Sequence, residues 1–418
     1  MNPLFLMYNH HIVGSFTPDE NLRLDFLYED SWLRNENSFP ISISMPLQKQ
    51  AHTYPTPNTF LENLMPEEKI RAAIEGSARL PKNSPYQFLK EFGDDLAGAF
   101  VISSNPSYTE NWADIVELPY SYLDRAIDEG RNIYQSVSQD YGVRFSLAGA
   151  QDKFCTILKN DSLYLSKGNL PSSHIAKVNL DFRNSQTVYN EFFCMNLAKK
   201  SGLKVPAVRI VGAKHPILLI ERYDRKKEDG KILRLHQEDF CQAQAYSSGL
   251  KYQDKGGPSI AQNYKVIKEN CHQPLKSLDS FLDWIAFNLI IGNNDSHSKN
   301  LSLIYQGRTQ SLAPFYDLLS TAVYGDRFSK TFAFKIGGTY QHDKIRPPDI
   351  EQLENSLGIK KGKFIKNFAR IAKKIEERLA YTEAKLKEIA PQNTIGARIS
   401  NLVKVRLKHF RTHGKLDI

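Results

Sequence analysis

The hydrophobic pattern changes from mainly strand-like to mainly helical near residue 236, and this change limits the fold more than any other feature of the sequence. Between residues 141 and 235, short apolar runs are separated by turn residues, as strands are. The strand-like runs are Tyr141–Leu147, Lys153–Leu158, Ser162–Ser166, His174–Val178 and Ile217–Tyr223. Residues 186–200 and most of the chain after 236 instead show helical spacing of apolar residues. The sequence therefore predicts an α+β fold in which a β-rich segment with one inserted helix precedes a larger helical segment.

Residues 1–105 are predicted to form a small α+β subdomain. Strand-like runs at Leu24–Tyr28 and Ile41–Met45 precede a helix predicted over 66–76, which begins with a proline and acidic residues, as helix N-termini prefer. Residues 106–140 are polar and partly helical, and we interpret them as a connecting segment. A chain of 418 residues exceeds what one compact core usually serves, so two or three packed units are expected. The pattern along the chain divides it into 1–105, 106–140, 141–235 and 236–418.

Composition excludes several classes of protein. Apolar residues make up 41% and charged residues 24%, which is ordinary for a soluble globular protein. No window approaches eighteen consecutive apolar residues, so a membrane-spanning helix is not expected. The N-terminal run Met1–Met7 lacks the basic residues of a secretory signal. The 4 cysteines are scattered without a C-x-x-C pair, which predicts buried thiols in a reducing cytoplasm and no zinc site.

The net positive charge is concentrated near the C-terminus. Residues 351–418 contain 16 Lys and Arg against 7 Asp and Glu, whereas the other 350 residues contain 39 of each. The net charge of +9 therefore resides in the last part of the chain. Such an asymmetry indicates an anionic partner for the C-terminal region, with a solvated helical surface as the alternative.

A polar loop between two apolar elements is the strongest candidate to carry catalytic groups. A helix before the loop is predicted from one apolar face formed by Leu278, Phe281, Leu282, Ile285 and Leu289. This helix runs into Gly292–Asn300, nine residues without an apolar side chain, and the apolar run Leu301–Tyr305 follows. Loops held by a rigid scaffold commonly carry catalytic residues.

Within this loop, Asp295 and Asn300 reproduce the D-x-x-x-x-N spacing of kinase catalytic loops. At that spacing the aspartate accepts the proton of the attacking hydroxyl and the asparagine carbonyl reaches a metal ion. The alternative is an ordinary turn rich in Asn, Asp and Gly. Asp317 lies farther on, in the apolar segment Leu312–Ser320, where a carboxylate is costly to bury unless it is paired or bound to a cation. This position suits a Mg²⁺ ligand, and a capping or turn aspartate is the alternative.

Phosphate-binding groups are predicted upstream of the loop. Ser146–Lys153 joins two predicted strands through small residues whose N–H groups could cradle phosphate, although it matches neither G-x-G-x-x-G nor Walker A. Lys177 shares a strand face with Ile175 and would counter phosphate charge if that face is inward; an edge lysine in water is the alternative. Glu191, on the following helix, is the candidate partner of Lys177. These groups together predict ATP- and Mg²⁺-dependent phosphoryl transfer.

The motifs of this chain resemble those of the HipA family of bacterial toxin serine/threonine kinases. In order, the matching segments are Ser146–Lys153, Glu221–Arg225, His236–Phe240, Lys251–Ile260, Gly292–Asn300 and Leu312–Ser320. The first 105 residues are also similar to that family's N-terminal subdomain, at Trp32-Leu33, Pro46-Leu47, Asn63–Pro66 and Gly93–Ala99. The resemblance implies a bilobed, protein-kinase-like α+β fold with a β-rich ATP lobe, a mostly helical lobe and an added N-terminal α+β subdomain.

The resemblance also implies a role for each matching residue. Asp295 would be the catalytic base, Asn300 and Asp317 would bind Mg²⁺, and Ser146 would be the autophosphorylated serine, whose modification ejects the phosphate loop. The backbone around Glu238–Phe240 would hold adenine as the hinge. The full set of implied ATP contacts is Ala148, Gly149, Ala150, Gln151, Lys153, Lys177, Glu238, Phe240, His297 and Lys299.

Partners follow from the same resemblance. The implied activity is phosphorylation of a protein serine, with glutamyl-tRNA synthetase as the best-known target. A HipB-like helix-turn-helix antitoxin would hold the kinase on operator DNA, with Arg406 and Lys408 of the basic region as candidate contacts to DNA phosphates. The protein would be cytoplasmic in a bacterium and associated with the nucleoid when bound to antitoxin, with no membrane partner.

Two departures from eukaryotic-type kinases matter, and two other functions compete. Asp317 precedes Leu-Leu rather than Phe-Gly, and Asn-Asn rather than His-Arg precedes Asp295, so activation-loop regulation is not transferred. A small-molecule kinase of the aminoglycoside-phosphotransferase type shares the Asp and Asn pattern, but the neutral charge of residues 1–350 gives no sign of an acidic pocket for a cationic substrate. A catalytically silent co-repressor on DNA is the other alternative, and the three intact catalytic positions argue against it.

Overall fold

The computed structural model describes residues 2–107, 115–149, 151–168, 170–179 and 185–418. The chain divides into two compact units, neither of which is continuous in sequence. The first unit comprises Met1–Val178, Val211–Gly249 and Leu303–Gln310. The second unit comprises Asn179–Ile210, Leu250–Ser302 and Ser311–Ile418.

Strands and helices alternate irregularly along the described residues. The strands are β1 (Leu4–Tyr8), β2 (His11–Pro18), β3 (Leu24–Tyr28), β4 (Val101–Ser103), β5 (Ile115–Leu118), β6 (Lys153–Lys159), β7 (Ser162–Ser166), β8 (His174–Lys177), β9 (Val208–Val211), β10 (Ile217–Glu221), β11 (Arg225–Glu228), β12 (Lys231–Arg234), β13 (Gln237–Asp239), β14 (Ser302–Gln306) and β15 (Thr309–Leu312). The helices are α1 (Asp30–Leu33), α2 (Thr56–Glu62), α3 (Glu68–Ser77), α4 (Pro85–Phe92), α5 (Tyr120–Asp128), α6 (Ile133–Tyr141), α7 (Thr187–Lys200), α8 (Phe240–Ala243), α9 (Ile260–Asn270), α10 (Pro274–Ile291), α11 (Pro347–Leu357), α12 (Lys363–Ile389) and α13 (Ile395–Thr412).

The first unit contains two principal sheets. In the N-terminal subdomain the strand order is β3-β2-β1-β4 with antiparallel neighbours. Strand β3 shows the alternation expected of a sheet with one covered face, since Leu24, Phe26 and Tyr28 are buried and the two residues between them are exposed. The second sheet places β5, β7, β6, β8 and β10 side by side in that order. Residues 115–118, from the polar segment after the N-terminal subdomain, thus form a strand of this sheet.

Most predicted elements of residues 141–235 are confirmed, with one error. The helix over 186–200 and the four strand runs after residue 150 appear as α7, β6, β7, β8 and β10. The predicted strand Tyr141–Leu147 is wrong. Helix α6 continues to Tyr141 and ends at Gly142, which adopts the left-handed conformation with φ 66°. Within the predicted run, Phe145 alone makes an isolated bridge, to Asp95, so the alternating apolar residues fill the core without belonging to a ladder.

The second unit is mostly helical and is built around α10. This helix is buried on nearly all sides over its last two turns, and Trp284, Ile285 and Leu289 have no exposed surface. It packs against α9, α12 and α13, which explains why its sequence is apolar beyond one face. Within the described ranges, no helix has the length and apolar character needed to cross a bilayer.

Candidate active site

The end of α10 determines where the catalytic loop begins. Gly292 follows the helix in the left-handed conformation, with φ 72°, and Asn293 N donates to Asn288 O at 3.0 Å. A side chain at Gly292 would lie 2.8 Å from the Ala322 methyl group and 3.2 Å from the Arg406 guanidinium carbon. Glycine is therefore required there by conformation and by space, and the polar loop starts at a fixed point of the core.

Hydrogen bonds within the loop hold Asp295 and Asn300 together. Asn293 Oδ1 accepts from Asp295 N at 3.2 Å. The carbonyl oxygen of Asp295 accepts from His297 N and from Asn300 Nδ2, each at 2.9 Å. The five-residue spacing between the two residues thus closes into a compact turn whose asparagine side chain bonds to the aspartate backbone. Its side-chain oxygen is of the type that Mg²⁺ prefers.

Asp317 lies in the same unit, and its segment is joined to the loop. Asn293 Nδ2 contacts Asp317 O at 3.4 Å, and Tyr316 Oη donates to Lys299 O at 2.6 Å. Asn190, on α7, bonds to both backbone groups of Ser320, at 2.8 and 2.9 Å. The structure therefore brings the segments of all three predicted catalytic residues together, although they are separated by up to 22 positions in sequence.

The backbone of Asp317 is itself unusual. Its φ is +57°, in the left-handed region that non-glycine residues seldom adopt. Residues in such conformations persist only when their surroundings hold them there, and they cluster at functional sites. Turn aspartates such as Asp161 and Asp229 also adopt positive φ, so the metal-ligand assignment of Asp317 remains a prediction.

His297 and Lys299, two of the predicted ATP contacts, are buried in the loop. Burial lowers the pKa of His297 well below its ordinary value, the nearby Lys251 and Lys299 lower it further, and Asp317 acts in the opposite direction. The imidazole is therefore neutral at physiological pH. Its Nε2 lies 3.9 Å from Asp295 Oδ1, and among the described residues its Nδ1 has no hydrogen-bond partner. The ATP contact of these two side chains remains a prediction.

Two lysines of the first unit lie opposite one another on neighbouring strands. Lys153 of β6 and Lys177 of β8 are register partners in an antiparallel pair, so their side chains leave the same face of the sheet. Lys177 is only 6% exposed, which rules out the alternative of an edge lysine in water. Two lysine ammonium groups on one face of a sheet carry the charge that counters phosphate oxygens. This pair is a suitable place for ATP phosphates.

The predicted phosphate loop precedes this pair. Gly149 has φ +115°, and Lys153 Nζ donates to Ala148 O. Gln151 Nε2 donates to Val178 O at 2.6 Å. Ala150, another predicted ATP contact, lies outside the described residues. The loop thus turns at a glycine, and hydrogen bonds join it to Lys153 of β6 and to Val178, the residue after β8.

The N-terminal subdomain holds the same loop from the other side. Ser146 has no exposed surface; its Oγ donates to Leu64 O at 2.8 Å and its N–H to Asp95 O at 3.1 Å. Glu67 N donates to Gly149 O at 3.2 Å. No local sequence pattern indicated these contacts, because they join residues about 50 to 80 positions apart.

The predicted hinge is anchored through the Glu238 side chain. Its carboxylate accepts from Ser42 Oγ at 2.5 Å, from Ile43 N at 3.0 Å and from Tyr305 Oη. Burial raises the pKa of Glu238 to about 7, while the hydrogen bonds from Ser42 and Tyr305 lower it. The Glu238 carboxylate is engaged by Ser42, Ile43 and Tyr305, and the Phe240 side chain is buried. Adenine would therefore contact the backbone of Glu238 and Phe240, as the family resemblance implies.

Sequence reasoning missed one residue at the catalytic loop. Tyr252 donates its hydroxyl to Asp295 Oδ1, and its ring meets His297 edge-on at 5.1 Å. It belongs to Lys251–Ile260, which served in the sequence only as a mark of family resemblance. The Gly256-Gly257 pair of this segment was the sequence signal that could have indicated a tight turn next to Tyr252.

The donor set suits Mg²⁺ better than metals that need dense protein ligation. Across the part of the chain that the structure describes, no group of three or more His, Cys, Asp and Glu could hold a metal ion. Mg²⁺ is commonly bound by one or two side-chain oxygens together with substrate phosphates. Asn300 and Asp317 meet that requirement, so the residues present fit the implied cofactor.

The basic residues of the C-terminal region are not all exposed. Lys404 and Lys408 of α13 are exposed. Arg406 is not: it is 5% exposed, donates Nη1 to Leu289 O at 2.7 Å, and burial lowers its pKa to about 10. The expectation that Arg406 contacts DNA is therefore wrong. Its cation serves the C-terminal end of α10, where carbonyl groups carry partial negative charge.

Known proteins resemble the chain over nearly its whole length. The model of the HipA-like C-terminal domain matches residues 145–379, and that of the HipA N-terminal domain matches residues 4–103. The putative kinase Y4mE of Sinorhizobium fredii is 33% identical over 340 residues, covering 80% of each chain. The serine/threonine-protein kinase toxin HipA of Shewanella oneidensis is 28% identical over 370 residues, covering 84% of this chain and 82% of that one.

A solved structure extends this likeness to the fold. It is the Shewanella oneidensis toxin–antitoxin complex of HipA, HipB and operator DNA, and it matches with a TM-score of 0.85 at 26% identity. The match covers 98% of this chain and 97% of the solved chain. The predicted α+β fold is confirmed by this match.

Proposed function

Because this chain belongs to the HipA family, we propose that it is an ATP- and Mg²⁺-dependent serine/threonine-protein kinase acting as the toxin of a toxin–antitoxin pair. The observation that carries the proposal is the assembly of Asp295, Asn300 and the left-handed Asp317 in one unit. Relatives named as kinases, including a serine/threonine-protein kinase toxin, support it.

The proposed reaction assigns one task to each group. Asp295 accepts the proton of a serine hydroxyl while that oxygen forms a bond to the γ-phosphorus of ATP; the bond between the γ-phosphorus and the β,γ-bridging oxygen breaks, and ADP leaves. Mg²⁺ held by Asn300 and Asp317 would neutralise charge on the phosphates. Lys153 and Lys177 would bind phosphate oxygens, and the backbone at Glu238–Phe240 would hold adenine.

A protein acceptor is favoured over a small cationic one. The residues before 351 carry no net charge, 39 basic against 39 acidic, whereas a pocket for an aminoglycoside would require an acidic excess. From the family resemblance we propose glutamyl-tRNA synthetase as the acceptor to test first. The test is ADP formation by the purified protein with and without Mg²⁺ and this acceptor. Absence of Mg²⁺-dependent ADP formation under all these conditions would reject the kinase proposal.

Ser146 is proposed as a site of self-phosphorylation that switches the kinase off. A phosphate adds about −1.5 to −2 charge at pH 7, and the fully buried Ser146 Oγ has no room for it beside Leu64 O. We therefore expect phosphorylated protein to lose ATP binding while the helical unit stays folded, as measured by nucleotide titration and circular dichroism. Ser146→Ala is the control that cannot be switched off.

The kinetics of this modification provide a separate measurement. Ser146 belongs to the loop proposed to cover ATP, so it should receive phosphate from another molecule. The initial rate should then rise with the square of the protein concentration. Strictly first-order modification, or phosphorylated protein with unchanged ATP affinity, would contradict this prediction.

A HipB-like antitoxin and operator DNA are proposed as partners, since the similar solved complex contains both. Replacing the exposed Lys404 and Lys408 with alanine should weaken operator binding by the kinase–antitoxin complex. Each lost phosphate contact should reduce the slope of log K against log salt by about 0.9. The paired variant Lys265→Ala/Lys268→Ala, on an exposed face of α9, is the matched control. An unchanged slope would make the C-terminal lysines a solvated surface.

A further inference from the structure

The hydroxyl of Tyr252 reaches the proposed catalytic base. It donates to Asp295 Oδ1, while the edge of its ring packs against His297. We infer that Tyr252 is a positioning residue that holds the Asp295 carboxylate in the orientation required for phosphoryl transfer. This inference rests on the proposed kinase function and deepens it.

The chain fixes Tyr252 in place from both sides. Gly256 has φ +89°, and Gly257 N donates to Tyr252 O at 2.9 Å, which closes a tight turn behind the tyrosine. A side chain at Gly257 would collide with Leu250 O and approach Tyr252 O to 2.8 Å, so the turn tolerates only glycine. On the other side, Lys251 O accepts from Ser298 N in the catalytic loop at 3.4 Å.

The ring is held independently of the hydroxyl. The ammonium groups of Lys251 and Lys255 each lie 5.3 Å from the centre of the Tyr252 ring, a distance at which a cation is attracted to an aromatic face. Together with the His297 contact, they restrict the ring to one place. The hydroxyl therefore adds a directed bond to a side chain that its ring and backbone already locate.

A fixed donor matters because a carboxylate can rotate. The Asp295 side chain is 34% exposed, so packing alone does not set its orientation. A carboxylate offers about four lone-pair sites on two oxygens. The hydrogen bond from Tyr252 to Oδ1 therefore leaves sites free to accept a hydrogen bond from the substrate serine hydroxyl. Errors of about 1 Å in the position of a reacting group can cost about 10²-fold in rate, which makes this hydrogen bond consequential for turnover.

The variant Tyr252→Phe removes the hydroxyl and keeps the ring contacts. In Mg²⁺-dependent ADP formation we expect kcat to fall about 10- to 100-fold, while KM for ATP stays within about twofold and the unfolding temperature is unchanged. Tyr86→Phe is the matched control, because it removes a hydroxyl that donates to Asn2 O at 2.7 Å in the first unit. A kcat for Tyr252→Phe within twofold of the parental value would overturn the inference.

A double-mutant cycle separates positioning from general structural support. If Tyr252 acts through Asp295, Tyr252→Phe should cause no further loss of ADP formation in the Asp295→Gln background. An equal fold loss in both backgrounds would overturn the inference and leave the kinase proposal intact. A parental rate in Asp295→Gln alone would instead reject Asp295 as the base, and with it the positioning role of Tyr252, whereas the kinase activity itself would stand.

Discussion

ADP formation and phosphate transfer should fall by about 10²- to 10⁴-fold in the Asp295→Gln variant, the contribution usual for a general base. Asp317→Asn should cause a loss of similar size, because it removes the negative charge of the proposed Mg²⁺ ligand. Both variants should remain folded. Asparagine tolerates the left-handed conformation as well as aspartate does, so the φ of +57° at Asp317 is not a reason for the variant to unfold.

The control for both variants is Asp326→Asn. Asp326 is also in the second unit, but its side chain is 83% exposed and forms an i,i+4 ion pair with Lys330. It should retain parental activity. Activity is measured as ADP formed per minute at saturating ATP and Mg²⁺, and folding by circular dichroism. Parental activity in either the Asp295 or the Asp317 variant would remove that residue from the mechanism.

Asp95→Asn should destabilise the first unit by about 3–5 kcal/mol, the usual cost of breaking a buried ion pair. Asp95 Oδ1 lies 3.2 Å from Arg222 Nη1 and 2.8 Å from Arg225 Nη2, and all three side chains are at least nine-tenths buried. Removing the carboxylate charge leaves two buried guanidinium groups with Asp224 as their nearest remaining carboxylate. Urea unfolding measures the loss, and Asp30→Asn, which removes an exposed pair with Arg34, should cost less than about 1 kcal/mol.

The stability lost in Asp95→Asn should also depend on pH. Burial would raise the pKa of Asp95, but Arg222 and Arg225 outweigh it and hold this pKa below its ordinary value. A depressed folded-state pKa contributes stability above the unfolded value of about 3.9 and loses it as pH falls through the folded value. The difference between parental protein and variant should therefore be largest near neutral pH and shrink in acid. A constant difference from neutral pH to strongly acidic solution would contradict this account.

Local spacing was enough to locate the polar loop and the residues proposed to act in it. Asp295 and Asn300 lie in one short loop, so their spacing in the sequence was enough to pair them. Asp317 was recognisable as a carboxylate within an apolar run. Strand alternation placed Lys177 on the same face as Ile175, and the structure shows that Lys177 is buried. These inferences needed only the periods of helices and strands.

Contacts between distant segments were beyond such reasoning. The bond from Tyr252 to Asp295 spans 43 positions and that from Ser146 to Leu64 spans 82. Arg406 appeared to be one more cation in a basic tail, yet it bonds to a carbonyl 117 positions away. The error at Tyr141–Leu147 has a related cause: alternation of apolar residues predicts which side chains are buried, but it does not reveal whether a partner strand is present.

The most direct test of the central claim is the mass of the intact protein after incubation with ATP and Mg²⁺. The account predicts one added phosphate on the parental protein, located by peptide mapping at Ser146, and none on Asp295→Gln or on protein incubated without Mg²⁺. Parental protein that binds ATP with Mg²⁺, yet transfers phosphate neither to itself nor to any added protein, would contradict it.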